Sequence, residues 1–152
     1  MRIRLMTDDD VDAVVRLWHA SGRQAYTFID LWQSFTLEKA GEVFRAHIIP
    51  VCEIWVAERD AQIVGYLAMH GSYIDRLYVS PDLQHTGIGT ALLRYAMQRS
   101  PTGLELHTHQ KNAPARAFYE KYGFLAVRYG LSPPPENEPD VEYHWRPHHI
   151  AP

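Results

Sequence analysis

With 152 residues, 46% apolar and 22% charged, the chain is long enough for one buried core and too apolar to be mainly disordered. Fifteen basic against eighteen acidic side chains leave a formal charge of −3, which argues against nucleic acid as the main partner. One cysteine, Cys52, excludes an internal disulfide, and no apolar run is long enough for a signal peptide or a membrane span. A cytoplasmic protein with no membrane partner is expected; a monomer and a homodimer are equally compatible with the chain.

Arg2 to Met6 alternates basic and apolar residues, the period of a half-buried strand. Thr7 or Asp8 is placed to cap a helix whose acidic start suits the positive end of a helix dipole. Val11, Val14, Val15 and Trp18 recur at helical spacing, and Gly22 is the expected stop. From Gln24 to Phe35 no period holds. Tyr26, Phe28, Trp32 and Phe35 make that segment unusually aromatic for a connection. A second helix is expected after Thr36, ending before Pro50.

Ile54 to Glu58 and Gln62 to His70, separated by Arg59-Asp60-Ala61, read as a hairpin, and Ser72 to Val79 as a third strand. From Gly87 the period turns helical, with Leu92, Leu93, Ala96 and Met97 on one side, until Pro101 and Gly103 break it. Leu104 to Thr108 is strand-like, Asn112 to Tyr122 helical with Gly123 as its αL end, and Leu125 to Leu131 strand-like again. The proline-rich stretch from Pro133 to Pro139 is expected to be loop, because proline supplies no ladder donor. Val141 to Trp145 forms the last strand, and 148–152 a short C-terminal tail. The order predicts one α/β (α+β) domain over 1–147: a mixed, mostly antiparallel sheet of about seven strands flanked by about four helices.

Two stretches carry chemistry. Gln84-His85-Thr86-Gly87-Ile88-Gly89 opens a helix just after a strand, where free N–H groups and the dipole suit a phosphate. A glycine there keeps side chains out of the phosphate's way. The dinucleotide fingerprint fails for want of a third glycine, and no Gly-Lys-Ser/Thr P-loop occurs. The second stretch runs from Asn112, a natural N-cap, through Pro114 in the first turn. Ala115, Phe118, Tyr119 and Tyr122 form a stripe in which Phe118 and Tyr122 read best as core.

Together the two stretches resemble the GNAT superfamily of acetyl-CoA-dependent N-acetyltransferases. Gln84-x-x-Gly87-x-Gly89 matches that family's Gln/Arg-x-x-Gly-x-Gly/Ala motif, and Asn112-x-x-Ala115-x-x-Phe118-Tyr119-x-x-x-Gly123-Phe124 resembles its second motif. The resemblance covers Ile3 to Trp145. It implies acetyl-CoA as co-substrate, with the backbone of Leu77, Tyr78 and Val79 pairing with the pantetheine amides. It likewise assigns the pyrophosphate to Gln84, His85, Thr86, Gly87, Ile88, Gly89 and Thr90, and the pantetheine arm to Asn112. Tyr119 is implied as the general acid that protonates the departing thiolate. Thiol and phenol pKa values, ~8.5 and ~10, are close enough for that transfer.

For the base that deprotonates the acceptor amine, Asp75 is the first candidate, with Glu53, Tyr73, His70 or a chain of waters as alternatives. Tyr26 and Trp32 are candidates for acceptor binding, because aromatic faces hold cations and rings. No metal is expected: His107-Thr108-His109 and His148-His149 lack further ligands in sequence. The resemblance implies as acceptor a primary amine of a small molecule or peptide. A protein lysine or N-terminal acetyltransferase, and a non-catalytic acyl-CoA-binding module, stand beside that reading.

Overall fold

The alternating Arg2–Leu5 segment forms strand β1 and pairs antiparallel with β2 (Glu53–Arg59) in the computed structural model of the protein, which describes residues 1–147. The expected tail and the His148-His149 pair lie outside the described residues. Strands β3 (Gln62–His70), β4 (Tyr73–Val79), β5 (Leu104–His109), β6 (Leu125–Leu131) and β7 (Pro139–Trp145) complete one sheet. Its order is β1-β2-β3-β4-β5-β7-β6, and among the described residues only the β4–β5 pair is parallel. The mixed, mostly antiparallel sheet of seven strands is the one expected.

Because side chains alternate across a strand, β2 and β3 feed both faces of the sheet. Ile54, Val56, Tyr66 and Ala68 pack under helices α1 (Val11–Ala25) and α3 (Leu37–Val43). Trp55, Ala57, Leu67 and Met69 pack on the opposite side with α4 (Ile88–Arg99) and α5 (Ala113–Lys121). A fifth helix, the short α2 (Asp30–Gln33), lies within the aromatic segment that showed no period. Thr36 caps α3 by accepting from the Lys39 N–H at 3.1 Å, and the helix runs on as a π-helical turn, Phe44–Ile48.

Two expectations need correction. Gly22 does not end α1, which continues to Ala25. A Cβ on Gly22 would lie 2.3 Å from the Trp32 ring, so the glycine admits that ring against the helix backbone. Pro139 is not loop but the first residue of β7, opposite Leu131. A first strand position tolerates its missing N–H. No helix among the described residues is long and apolar enough to cross a membrane.

The start of the chain is fixed electrostatically. Arg4 donates to both carboxylate oxygens of Asp10, at 2.7 and 3.0 Å, and to Glu58 at 3.1 Å. Asp10 also accepts from the Thr7 N–H at 2.8 Å, closing the turn that starts α1. The Arg4 hydrogen bonds hold the Asp10 carboxyl down at about 2, below the ordinary value near ~3.9. A depressed acid contributes stability that is present above the unfolded value and is lost as pH falls through the folded one. Asp10→Asn should therefore be less stable than the parent at neutral pH, and the gap should close between about pH 4 and 2. Urea unfolding midpoints across that range test it; a constant gap would mean that the carboxylate charge is not the stabilising feature.

Candidate active site

Strands β4 and β5 meet at one parallel bridge, Tyr73 opposite Glu105. The Glu105 N–H donates to the Ser72 carbonyl at 3.1 Å, and the Ser72 hydroxyl to the Glu105 carboxylate at 2.6 Å. Past this point β4 keeps β3 on one side but has no strand partner on the other. Two cavities open there, one of about 880 Å³ and one of about 840 Å³. They share Tyr26, Asp75, Arg76, Tyr78, His107 and Thr108, so the two clefts meet at a junction beneath the splayed strands.

The first cleft runs along Leu77, Tyr78 and Val79 to the start of α4. Gly87 has φ +91°, which favours glycine, and a Cβ there would meet nothing within 4 Å. The first intrahelical bond is from the Ala91 N–H to the Gly87 carbonyl, so the N–H groups of the first turn have no helical acceptor. No acidic residue stands in that turn, and Lys111 and Lys121 border the same cleft. Phosphate and an extended amide chain both fit this surface. Gln84, His85, Gly89, Thr90 and Asn112 also line it. Asn112 caps α5 through its Oδ1, which accepts from the Ala115 N–H at 3.2 Å. Thr86 and Ile88 are not on the wall: the Thr86 hydroxyl donates to the Leu83 carbonyl, and Ile88 is buried in the core.

On the wall of the first cleft, α5 supplies Tyr119, buried against Phe118, Phe124 and Tyr143. Burial first, then Tyr78 and Tyr73, push its phenol well above the ordinary range, so it keeps its proton at neutral pH. Asp75 arrives by a β-bulge. Ala68 faces Arg76 and Met69 faces Ile74, leaving Asp75 unopposed and re-aimed toward the opening. Arg76 lies 4.1 Å over the Trp18 ring and donates from Nε to Asp75 Oδ2 at 3.2 Å. Tyr26 and Tyr78 share a hydroxyl–hydroxyl hydrogen bond of 2.8 Å, and burial raises both phenols.

A family model described as an acetyltransferase (GNAT) domain matches residues 50–125, half of the chain. Peptidyl-lysine N-acetyltransferase YiaC of Escherichia coli is 31% identical over 128 residues, 82% of this chain and 84% of that one. The chain belongs to the GNAT acetyltransferases. Peptidyl-lysine N-acetyltransferase YjaB of E. coli is 30% identical over 124 residues, 80% of each chain. The apo solution structure of E. coli YjaB superposes with a TM-score of 0.79 over 94% of this chain and 95% of that one, at 22% identity. The PaiA N-acetyltransferase of Thermoplasma acidophilum, solved with coenzyme A, superposes at 0.67 over 96% and 99%, at 20% identity.

In this acetyltransferase the second cleft is walled by Trp18, Tyr26, Trp32 and Phe35, and closed opposite by 131–136. Trp32 reaches that wall but is only 7% exposed, packed against Trp18, Tyr26 and Phe35 at 5.8, 5.3 and 5.0 Å between centroids. Glu53 and His70 border neither cleft; Glu53 faces Arg99 at 3.9 Å. Sequence reasoning missed Phe118 and Tyr122 as cleft residues, and had no signal for Ser21, whose hydroxyl donates to the Val79 carbonyl at 3.0 Å. Among the described residues no three of His, Cys, Asp and Glu are placed to hold a metal ion. Trp32→Ala should cost about 3–5 kcal/mol, the usual range for a buried tryptophan. Chemical denaturation measures it. A stable variant with only a raised acceptor KM would make Trp32 a binding residue and not core.

Proposed function

We propose that the protein transfers the acetyl group of acetyl-CoA to a primary amine, with residues 1–147 acting as one catalytic domain. The observation that carries this reading is the meeting of two clefts at Asp75, with Tyr119 on the wall of the first, in a chain of the GNAT acetyltransferases. Bound acetyl-CoA supplies the reactive thioester and a thiol leaving group. The edge of Leu77, Tyr78 and Val79, which has no strand partner on the β5 side, suits its amides, and the start of α4, from Gly87 through Gly89 and Thr90, suits its pyrophosphate. Tyr119 donates its proton to the sulfur as negative charge develops there. Asp75 draws the acceptor ammonium toward the junction with the carboxylate oxygen not engaged by Arg76.

For the acceptor we infer a lysine side chain of a peptide. The peptidyl-lysine activity named for YiaC and YjaB supports this choice. The walls of the second cleft, Leu31, Phe35 and Leu131 among them, also suit four methylenes leading to an amine. A small-molecule amine is the second reading, favoured by the aromatic faces of Trp18 and Tyr26. Thiol release measured against lysine peptides and a panel of small amines decides between them. A kcat/KM at least tenfold higher for peptides is expected; the reverse order selects the small molecule.

Two variants test the site. Tyr119→Phe keeps the ring, so kcat should fall by roughly 10²–10⁴ while acetyl-CoA affinity stays within a few-fold. A near-parental kcat removes Tyr119 from the mechanism, and equal losses in binding and rate make it a cofactor contact. Gly87→Ala places a methyl in open cleft space and strains a positive φ. Calorimetry should find acetyl-CoA binding weakened about tenfold, or 1.4 kcal/mol. Unchanged affinity would move the phosphate site away from the α4 terminus.

A further inference from the structure

Building on the acetyltransferase reading, we propose that Tyr73, His107 and Glu142 form a relay that takes the acceptor amine's proton from the junction to solvent. Tyr73 is the member that touches the amine. The register of β5 and β7 sets His107 opposite Glu142, and Glu105 opposite His144. These side chains share one face of the sheet, while Leu104, Leu106, Val141 and Tyr143 fill the core on the other. The Tyr73 hydroxyl lies 2.8 Å from His107 Nδ1. His107 Nε2 lies 3.6 Å from Glu142 Oε1. His144 Nε2 stands 2.6 Å from Glu142 Oε2, and Arg128 Nη1 donates to Glu142 Oε1 at 2.7 Å.

The order of these contacts gives the relay its direction. His144 and Arg128 hold the Glu142 carboxyl below its ordinary range, so it faces His107 as an anion. An anion on the Nε2 side favours the proton on Nε2 and leaves the Nδ1 lone pair for the Tyr73 O–H. Tyr73 and His107 both line the second cleft, and His107 is also half-exposed to solvent. The Tyr73 phenol, pushed up to about 12 first by burial and then by Asp75, remains protonated between turnovers. Tyr73 lines the second cleft and Tyr119 the first, on either side of the residues that the two clefts share.

The protons balance. As Tyr73 takes a proton from the acceptor ammonium on its oxygen, its own proton passes to His107 Nδ1, and the imidazolium faces Glu142. The neutral amine forms the new C–N bond and the C–S bond breaks. The nitrogen's second proton replaces the one that Tyr119 gives to sulfur. One proton per turnover remains on His107 and leaves to solvent. This is the logic of a hydroxyl, an imidazole and an orienting carboxylate, with a phenol as the first member. Around Tyr73 and His107 stand Asp75 from β4, Asp140, Glu142 and His144 from β7, Arg128 from β6, and Glu105 and His109 from β5.

The test uses a lysine-containing peptide with the full chain and its variants Tyr73→Phe, His107→Gln and Glu142→Gln, followed from pH 6 to 10. At neutral pH kcat should fall at least 10²-fold in the first two variants and less in the third. In Tyr73→Phe and His107→Gln the acidic limb of kcat/KM should move upward, and the rate should recover at least tenfold near pH 10, where a lysine amine sheds its own proton. A loss that is uniform across pH, or that follows a lowered thermal midpoint, overturns the relay. Nitrogen NMR of the His107 ring gives a readout independent of turnover. The Nε2–H tautomer is expected in the parent, with the Nδ1 signal displaced in Tyr73→Phe, whereas an Nδ1–H tautomer overturns the proposal. If the parent acetylates no lysine peptide, the acceptor reading fails and the ring tautomer alone decides the relay.

Discussion

The site depends on one feature of strand pairing: β4 and β5 are joined at Tyr73 and Glu105 and nowhere further along. A parallel pair is less stable per residue than an antiparallel one, so this is the place in the sheet where separation costs least. The antiparallel pairs on either side, β3 with β4 and β5 with β7, hold the two halves rigid while their edges part. The gap leaves Leu77 to Val79 without a β5 partner, and of their main-chain groups the Val79 carbonyl is taken by the Ser21 hydroxyl. It also sets β4 side chains against those of β5 across an opening instead of side by side. The bulge at Asp75 adds to this, because two consecutive residues, Asp75 and Arg76, then border the same junction.

Burial shapes the chemistry around that gap. Tyr26, Tyr78 and Tyr119 border the junction with their phenols pushed up chiefly by removal from water, and Tyr73 is shifted the same way. Each therefore keeps its proton at neutral pH. Charge enters at the junction through the Asp75–Arg76 pair, and beyond it through Glu142 with its partners. Protonated phenols beside one ion pair suit a reaction in which an ammonium must lose a proton before it attacks.

Much of this was legible along the chain. The glycine-opened start of α4 and the Asn112–Gly123 stretch are contiguous, and helix starts and ends obey local rules of capping and φ. Their motif residues accordingly fall where expected, with Gly87, Gly89, Asn112 and Tyr119 all bordering one cleft. Thr86 and Ile88 sit within the same motif, yet they turn toward the Leu83 carbonyl and the core. A motif marks a backbone conformation and does not state which way each side chain points. The aromatic segment from Gln24 to Phe35 resisted reading because its order comes from rings packing on one another and on Gly22, contacts that leave no period in sequence.

By itself, the sequence determined the strand order, every helix but the short α2, the phosphate-suited helix start and the position of Tyr119, since each rests on residues within a few turns of one another. Only the tertiary structure decided where the sheet splits, that Asp75 is bulged toward the opening, and that Trp32 is chiefly core. It alone brought Tyr73, His107 and Glu142 together. These three come from β4, β5 and β7, separated by more than thirty residues at each step. Their proximity depends on strand register, which is set by the packing of the opposite face, and no local pattern around any one of them encodes it.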